Sequence, residues 1–269
     1  MSGQFDVERF VELRRSRAAL TWGEPLTYGE RTGSTNDDAL AAARQGATSG
    51  SVFLAEHQSR GRGRRGRRWL AESGQSLLFS VLLRPAEGAS AAQALGPQTG
   101  ALTLAVGLGV RAALAPYSDQ ALSVKWPNDV LCARRKLAGI LCESQLQAGR
   151  IDAIVIGVGI NVGPQAFPPE LAHDATSLAE LSGRGHSREQ LLLAVLSEVE
   201  QRATAGERTG LGDLLEEFRA HDALRDRKVY VSGARELTGI ARGVDGEGHL
   251  LLETDGIVIA VHSGTVRLA

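Results

Sequence analysis

A run of arginine and glycine, Gln58-Ser59-Arg60-Gly61-Arg62-Gly63-Arg64-Arg65-Gly66-Arg67-Arg68-Trp69, limits what this chain can become because of what flanks it. Val52-Phe53-Leu54-Ala55 precede it and the apolar stretch 76–83 follows, and both read as buried strands. Alone, such a run fits a solvated RNA-binding tail equally well, since basic segments of about five to eight residues mark nucleic-acid patches. Between two core strands, the arginines are expected in an ordered loop. Glycine lets backbone N–H groups approach a ligand, and each guanidinium offers a fixed fork of donors. The loop therefore suits an anion that bears phosphate and carboxylate oxygens.

The remaining charge points away from nucleic acid. Lys+Arg number 30 against 31 Asp+Glu, a net charge of -1, whereas a dedicated nucleic-acid binder carries a basic excess. A length of 269 residues suffices for a sizeable core with a second, smaller domain. Cys132 and Cys142 match no metal or redox spacing and fit a reducing compartment. The N-terminal decapeptide carries Asp6 and Glu8 and lacks the apolar centre of a signal peptide. The longest apolar run, 101–110, is too short for a membrane span and stops at Arg111. The expectation is a cytoplasmic protein with no membrane partner.

Along the chain, the pattern predicts a helix over 5–20, a strand over 27–32 and a helix from Ser34 through Ala43. Gly46 closes that helix, and Ser34 and Asp37 have capping-box spacing. Strands are expected at 76–83 and 122–125, with a small-residue helix over 97–114 between them. Lys125 ends an apolar strand and is followed by Trp126-Pro127-Asn128-Asp129, a stiff turn that fixes its direction. The segments 136–143 and 151–162 read as paired strands joined at Ala148-Gly149. Gly157 and Gly159 make no dinucleotide fingerprint. They are either an opened strand end or a backbone kept bare beside a ligand. Helical pattern runs over 187–220, with a break near Ala205-Gly206. Beyond Asp222, short strands at 228–231, 235–243, 249–253 and 257–261 alternate with glycine-rich turns, which predicts a small antiparallel barrel. The fold class expected is α/β (α+β): a mixed central sheet flanked by helices over 1–223 and a small C-terminal SH3-like β-barrel domain over 224–269.

Taken together, Ser34-Thr35-Asn36, Gln58, Gly61 to Gly66, Lys125 to Asp129, Lys136 to Leu141 and Gly159-Ile160-Asn161 resemble the biotin protein ligase family in order and spacing. Only 33 residues precede Ser34, so the resemblance is to the shorter catalytic form without the N-terminal DNA-binding domain, and no specific DNA binding is expected. The resemblance implies a two-step enzyme using ATP and biotin as substrates, with Mg2+. It would make biotinyl-5'-AMP and pass biotin to a lysine of the biotin carboxyl carrier protein domain of acetyl-CoA or pyruvate carboxylase; a homodimer is a further expectation.

The resemblance also implies roles for residues. Ser34, Thr35, Asn36 and Gln58, with Gly61, Arg62, Gly63, Arg64, Lys125 and Gly139, would bind biotin. Arg62, Arg64, Arg65, Trp69, Lys125 and Asn161 would bind ATP. Lys125 and Arg64 would be catalytic, Trp69 would stack on adenine, Asn161 would bond its edge, and Gly139 would leave room for the ligand. No carboxylate stands out as a metal ligand. Two other readings compete: a lipoate or octanoate ligase or transferase of the same superfamily, and an RNA-binding protein using Arg60 to Arg68. A lipoyl tail has no ureido group to satisfy the Ser-Thr-Asn corner.

Overall fold

The computed structural model describes residues 3–85, 97–148, 150–209, 211–233 and 235–269. A seven-stranded sheet runs in the order β1-β2-β3-β7-β6-β5-β4, from β1 (Leu26–Thr32), β2 (Val52–Gln58), β3 (Ser76–Leu83), β4 (Leu122–Lys125), β5 (Asp129–Cys132), β6 (Arg135–Gln147) and β7 (Arg150–Asn161). β1 and β2 pair parallel, and the other neighbours pair antiparallel. β6 and β7 form the expected hairpin with Gln147 opposite Arg150, while Gly149 lies outside the described residues.

Alternation along the strands divides the sheet into two faces. Val52, Leu54, Leu77, Phe79, Val81 and Leu83 join the main core, which includes α1 (Val7–Arg15), α3 (Pro97–Leu114), α4 (Leu178–Ser182) and α5 (Arg188–Thr209). Phe53, Leu82, Ala153 and Val155 point the other way and pack against Ala39 and Ala43 of α2 (Thr35–Arg44). This short helix covers only one end of that face, so the rest of the face is open to form a cleft.

The α3 helix is apolar all round and long enough to cross a membrane by composition, but both of its flanks are buried in protein. Leu102, Val106 and Val110 face the sheet core, while Ala101, Leu104, Ala105 and Leu108 face a second core. Gly109 allows α5 to come close, since a methyl there would stand 2.7 Å from Val199 Cα. The second core is shared with a five-stranded antiparallel sheet, ordered β11-β10-β9-β8-β12, from β8 (Lys228–Ser232), β9 (Leu237–Val244), β10 (Leu250–Thr254), β11 (Ile257–Val261) and β12 (Thr265–Leu268). β11 and β12 are its two edges and do not pair with each other, so the expected barrel is an open sheet.

Local boundaries differ where tertiary contacts override pattern. The first helix ends at Arg15, and Arg14 turns its guanidinium onto the carbonyls of Trp22, Arg17 and Leu20. α5 continues past Ala205, the expected break, and α6 (Leu215–His221) follows it. A buried ion pair ties the N-terminus to the sheet: Arg188 donates 2.6 and 2.9 Å bonds to Glu56, which also accepts from the Phe5 amide and the Tyr28 hydroxyl. Burial alone would raise the Glu56 pKa, but these donors outweigh it and hold the carboxyl below its usual range.

Candidate functional site

The start of α2 is polar and buried: Ser34, Thr35 and Asn36 are 3%, 3% and 4% exposed. The Ser34 hydroxyl makes no cap bond, and Asp37 pairs with Arg62 instead, so the expected capping box does not form. Gln58, at the end of β2, does the capping from outside: its Oε1 accepts from Thr35 N at 2.8 Å and Thr35 Oγ1 at 3.2 Å. Ser80 Oγ lies 2.7 Å from Thr35 Oγ1 and 2.5 Å from Asn36 Oδ1. Asn36 Nδ2 donates to Glu143 Oε2 at 2.6 Å and to the Leu141 carbonyl at 3.3 Å. What remains toward the cleft is the Gln58 amide N–H pair, the Ser34 hydroxyl and one lone pair of Asn36 Oδ1.

Three glycines of β6 and β7 floor the cleft. Gly139 and Gly159 are opposite each other in the ladder, so two neighbouring positions lack side chains. Trp69 lies across them: a methyl on Gly159 would stand 2.6 Å from its Cε2, and one on Gly139 would stand 2.8 Å from its Cζ3. The room that Gly139 was expected to leave for a ligand is therefore taken by the indole and by the Lys136 side chain. Lys136 Nζ sits 5.3 Å from the Trp69 ring centre, and Trp69 Nε1 is buried without a hydrogen bond. Gly157 gives its space to the Asn36 amide, which any side chain there would strike.

The arginine run is a small hairpin. Arg62 bridges Arg68, Gly63 N donates to Arg67 O at 2.7 Å, Trp69 N donates to Gly61 O at 3.0 Å, and Arg65 takes the left-handed turn position at φ 58°. Its guanidinium groups are mostly occupied. Arg62 holds Asp37 at 2.5 Å and Glu143 at 2.6 Å; burial opposes its charge, but the two carboxylates raise its pKa. Arg65 donates to the Ser232 carbonyl, away from the cleft, where it was expected to meet ATP. Arg67 reaches Thr265 and Arg68 reaches Ser59 O. Arg64 lines the cleft and makes no side-chain hydrogen bond or ion pair within the described residues. Burial chiefly, then Arg65 and Arg67, lower its pKa against the pull of Asp129. Gly61 is there for the hairpin: a methyl would stand 2.8 Å from Trp69 O.

Lys125 lines the same cleft from the end of β4, before the turn in which Asn128 bonds Ile140 through both backbone and amide. Its pKa is lowered, first by burial and then by Lys136 and Arg67, while Asp129 and Asp174 oppose. Asp129 gives its carboxylate to Lys136 at 2.6 Å. An ammonium whose charge is disfavoured by desolvation and by neighbouring cations gains from an incoming anion. Asn161 is a cleft residue whose amide is already engaged: Nδ2 donates to Thr176 O at 2.9 Å and Oδ1 accepts from Gln165 at 3.2 Å. It pins the segment after β7, and its free capacity within the described residues is one lone pair of Oδ1.

The cleft holds roughly 1230 Å3, and β12 and Arg227 form its far wall. Among the described residues, the group with ligand atoms close enough to share an ion is Asp245, Glu247 and His249, which is not in the cleft. The cleft carboxylates do not form a cage for the expected Mg2+. Ser80, Glu143 and Lys136 are site residues that sequence reasoning passed over. Alternation along β6, which puts Gly139, Leu141 and Glu143 on one face, carried the signal for the second.

Residues 28–161 match the Biotin/lipoate A/B protein ligase family and residues 228–268 match the Biotin protein ligase C terminal domain. The chain is similar to the biotin–acetyl-CoA-carboxylase ligase of Mycobacterium tuberculosis, 38% identical over 265 residues, covering 96% of this chain and 94% of that one. The corresponding ligase of Paracoccus denitrificans is 34% identical, with 82% and 91% covered. The biotin protein ligase from Aquifex aeolicus in complex with biotin and ATP matches with a TM-score of 0.78 at 27% identity, covering 91% of this chain and all of that one.

Proposed function

This chain belongs to the biotin/lipoate A/B protein ligase family and is a biotin–protein ligase, and on that premise we propose how its cleft divides the work. In the first step a biotin carboxylate oxygen attacks the α-phosphorus of ATP, and the bond to pyrophosphate breaks. In the second, the ε-amine of a carrier lysine attacks the acyl carbon and AMP leaves. The observation that carries the assignment is the placing of Arg64, without a side-chain partner within the described residues, and the half-buried Lys125 on a cleft shared with the Ser34 to Asn36 corner.

Two anions must meet for adenylation. Lys125 and Arg64 lower that repulsion and stabilise the charge that builds on the phosphorus oxygens, and their positions cost no reorganisation at the moment of reaction. The ureido ring of biotin offers two N–H donors and one carbonyl. Asn36 Oδ1 would accept a ring N–H, and the Gln58 amide and Ser34 hydroxyl would donate to the carbonyl. Trp69, seated on Gly139 and Gly159, offers a flat face for stacking. Arg62 would serve chiefly to hold the loop, through Asp37 and Glu143, and Arg65 is bonded to Ser232 away from the cleft. Mg2+ would arrive on the nucleotide phosphates, where it keeps most of its own water.

The acceptor is the carrier domain of a biotin-dependent carboxylase: acetyl-CoA carboxylase first, as in the names of the relatives, and pyruvate carboxylase as a second candidate. ATP as a substrate and a carboxylase as acceptor fit a cytoplasmic enzyme. Pyrophosphate release, measured with ATP and either biotin, lipoate or octanoate, tests the substrate. Release with biotin alone supports the reading, and release with lipoate or octanoate but not biotin refutes it.

A further inference from the structure

We propose that Glu143 is a positioning residue that sets which ligands the corner accepts, by fixing which end of the Asn36 amide faces the cleft; this rests on the reading of that corner as the site of the biotin ring. A single carboxylate oxygen, Glu143 Oε2, receives Asn36 Nδ2 at 2.6 Å and Arg62 at 2.6 Å. An ionised carboxylate only accepts hydrogen bonds. If the Asn36 amide were turned over, its Oδ1 would stand where Nδ2 is, with lone pairs against lone pairs at 2.6 Å from Glu143 and 3.3 Å from Leu141 O.

The other neighbours do not decide the orientation. The Ser80 hydroxyl, 2.5 Å from Oδ1, can rotate to accept as readily as to donate. Leu141 O is at the long end of hydrogen bonding. Gly157, pressed against the amide, limits where the group lies and is indifferent to which end is oxygen. Glu143 is left as the group that keeps oxygen facing the ligand, and Arg62 supplies its countercharge. The corner therefore reads an N–H on the ring and rejects a ring that presents an acceptor at that point.

Glu143→Gln keeps the shape but removes the rule. A glutamine amide can donate to a turned Asn36 Oδ1, so both orientations become satisfied and the corner can show an N–H to the cleft. The probe is a biotin analogue in which one ring N–H is replaced by oxygen, a cyclic carbamate, compared with biotin by kcat/KM for pyrophosphate release. Wild type should prefer biotin by on the order of 10²-fold or more, because the analogue sets acceptor against acceptor in a buried site. In Glu143→Gln the preference should fall by about tenfold, the size of one hydrogen bond, mostly through a higher KM for biotin. Glu143→Asp, which draws the carboxylate back by one methylene, should lower the preference as well and stands in if the glutamine variant melts early. Asp37→Asn weakens the hold on Arg62 but leaves Glu143 on Asn36, and should keep the wild-type preference.

An unchanged preference in the Glu143 variants, or an equal fall in Asp37→Asn, overturns the proposal. Asn36→Ala separates the two levels. If it uses biotin and the carbamate as wild type does, the corner is not the ring site and the underlying reading fails. If it loses biotin while the Glu143 variants discriminate normally, only the proposal fails.

Discussion

Gly159→Ala tests whether the seat of Trp69 is what holds the arginine hairpin over the cleft. The added methyl would stand 2.6 Å from Trp69 Cε2, 2.8 Å from Cζ2 and 3.0 Å from Cδ2. Carbon atoms rest at about 3.5–4.0 Å, so the indole must withdraw by roughly 1 Å. It has little room to slide, with Gly139 beneath it, Lys136 over its ring and its own amide tied to Gly61 O. Gly159 does not have a positive φ, so alanine is opposed by contact and not by backbone strain.

Overpacking of this kind costs about 1–3 kcal/mol. At about 2–4 °C per kcal/mol for a chain near this size, the melting temperature should fall by roughly 2–12 °C. With its indole lifted, the hairpin should also hold Arg64 less well, and pyrophosphate release should fall by on the order of tenfold, beyond what the fraction unfolded explains. Trp69→Ala removes the atoms that clash, so adding Gly159→Ala to it should cost almost nothing. The double-mutant cycle should then give a coupling of about 1–3 kcal/mol. Thermal melts and pyrophosphate release on the four proteins are the assays. A coupling near zero, with Gly159→Ala melting within about 1 °C of wild type, would refute the reasoning.

Lys125→Ala should lose adenylate formation by on the order of 10²-fold or more, as for one preorganised electrostatic donor; a rate within about twofold of wild type contradicts its role. Arg64→Gly should slow adenylate formation by on the order of tenfold or more and also release what it makes, seen as biotin on bystander serum albumin. Retention of adenylate by the variant would count against Arg64 as a group that holds it. Glu56→Gln leaves the Arg188 charge buried with less compensation and should cost about 3–5 kcal/mol by urea unfolding. Asp222 is half-buried, its Oδ2 lies out of reach of solvent without a hydrogen-bond partner among the described residues, and desolvation raises its pKa from 3.8 to about 6. Its folded-state value lies above the unfolded one, so its favourable contribution is present below about pH 4 and is lost as pH rises through about 6. Asp222→Asn should therefore match wild type at pH 4 and be more stable at pH 7.5, by up to about 3 kcal/mol; equal stability at both pH values would contradict the burial argument.

What the sequence made legible was whatever has a period or a stiff residue. Strand β3 and helix α3 stand at the expected bounds, because continuous apolar runs leave one way to be buried. The direction of Lys125 was readable from Pro127 beside it. The open C-terminal sheet was less so: strand β12 carries Arg267 among short apolar residues, and closure depends on an edge pairing that no local pattern encodes. The arginine run was the hardest case, since six guanidinium groups look alike in sequence and differ only by what stands opposite. Asp37, Glu143, Ser232 and Thr265 come from four other parts of the chain and Ser59 from the run itself, and they engage Arg62, Arg65, Arg67 and Arg68. The same contacts count against reading so basic a segment as a nucleic-acid surface. A phosphate-tracking surface needs many free cations in a row. Here two carboxylates neutralise Arg62, neutral oxygens hold Arg67 and Arg68 in place, and Arg64, without a side-chain bond within the described residues, is the guanidinium beside Lys125 that a small anion would find free.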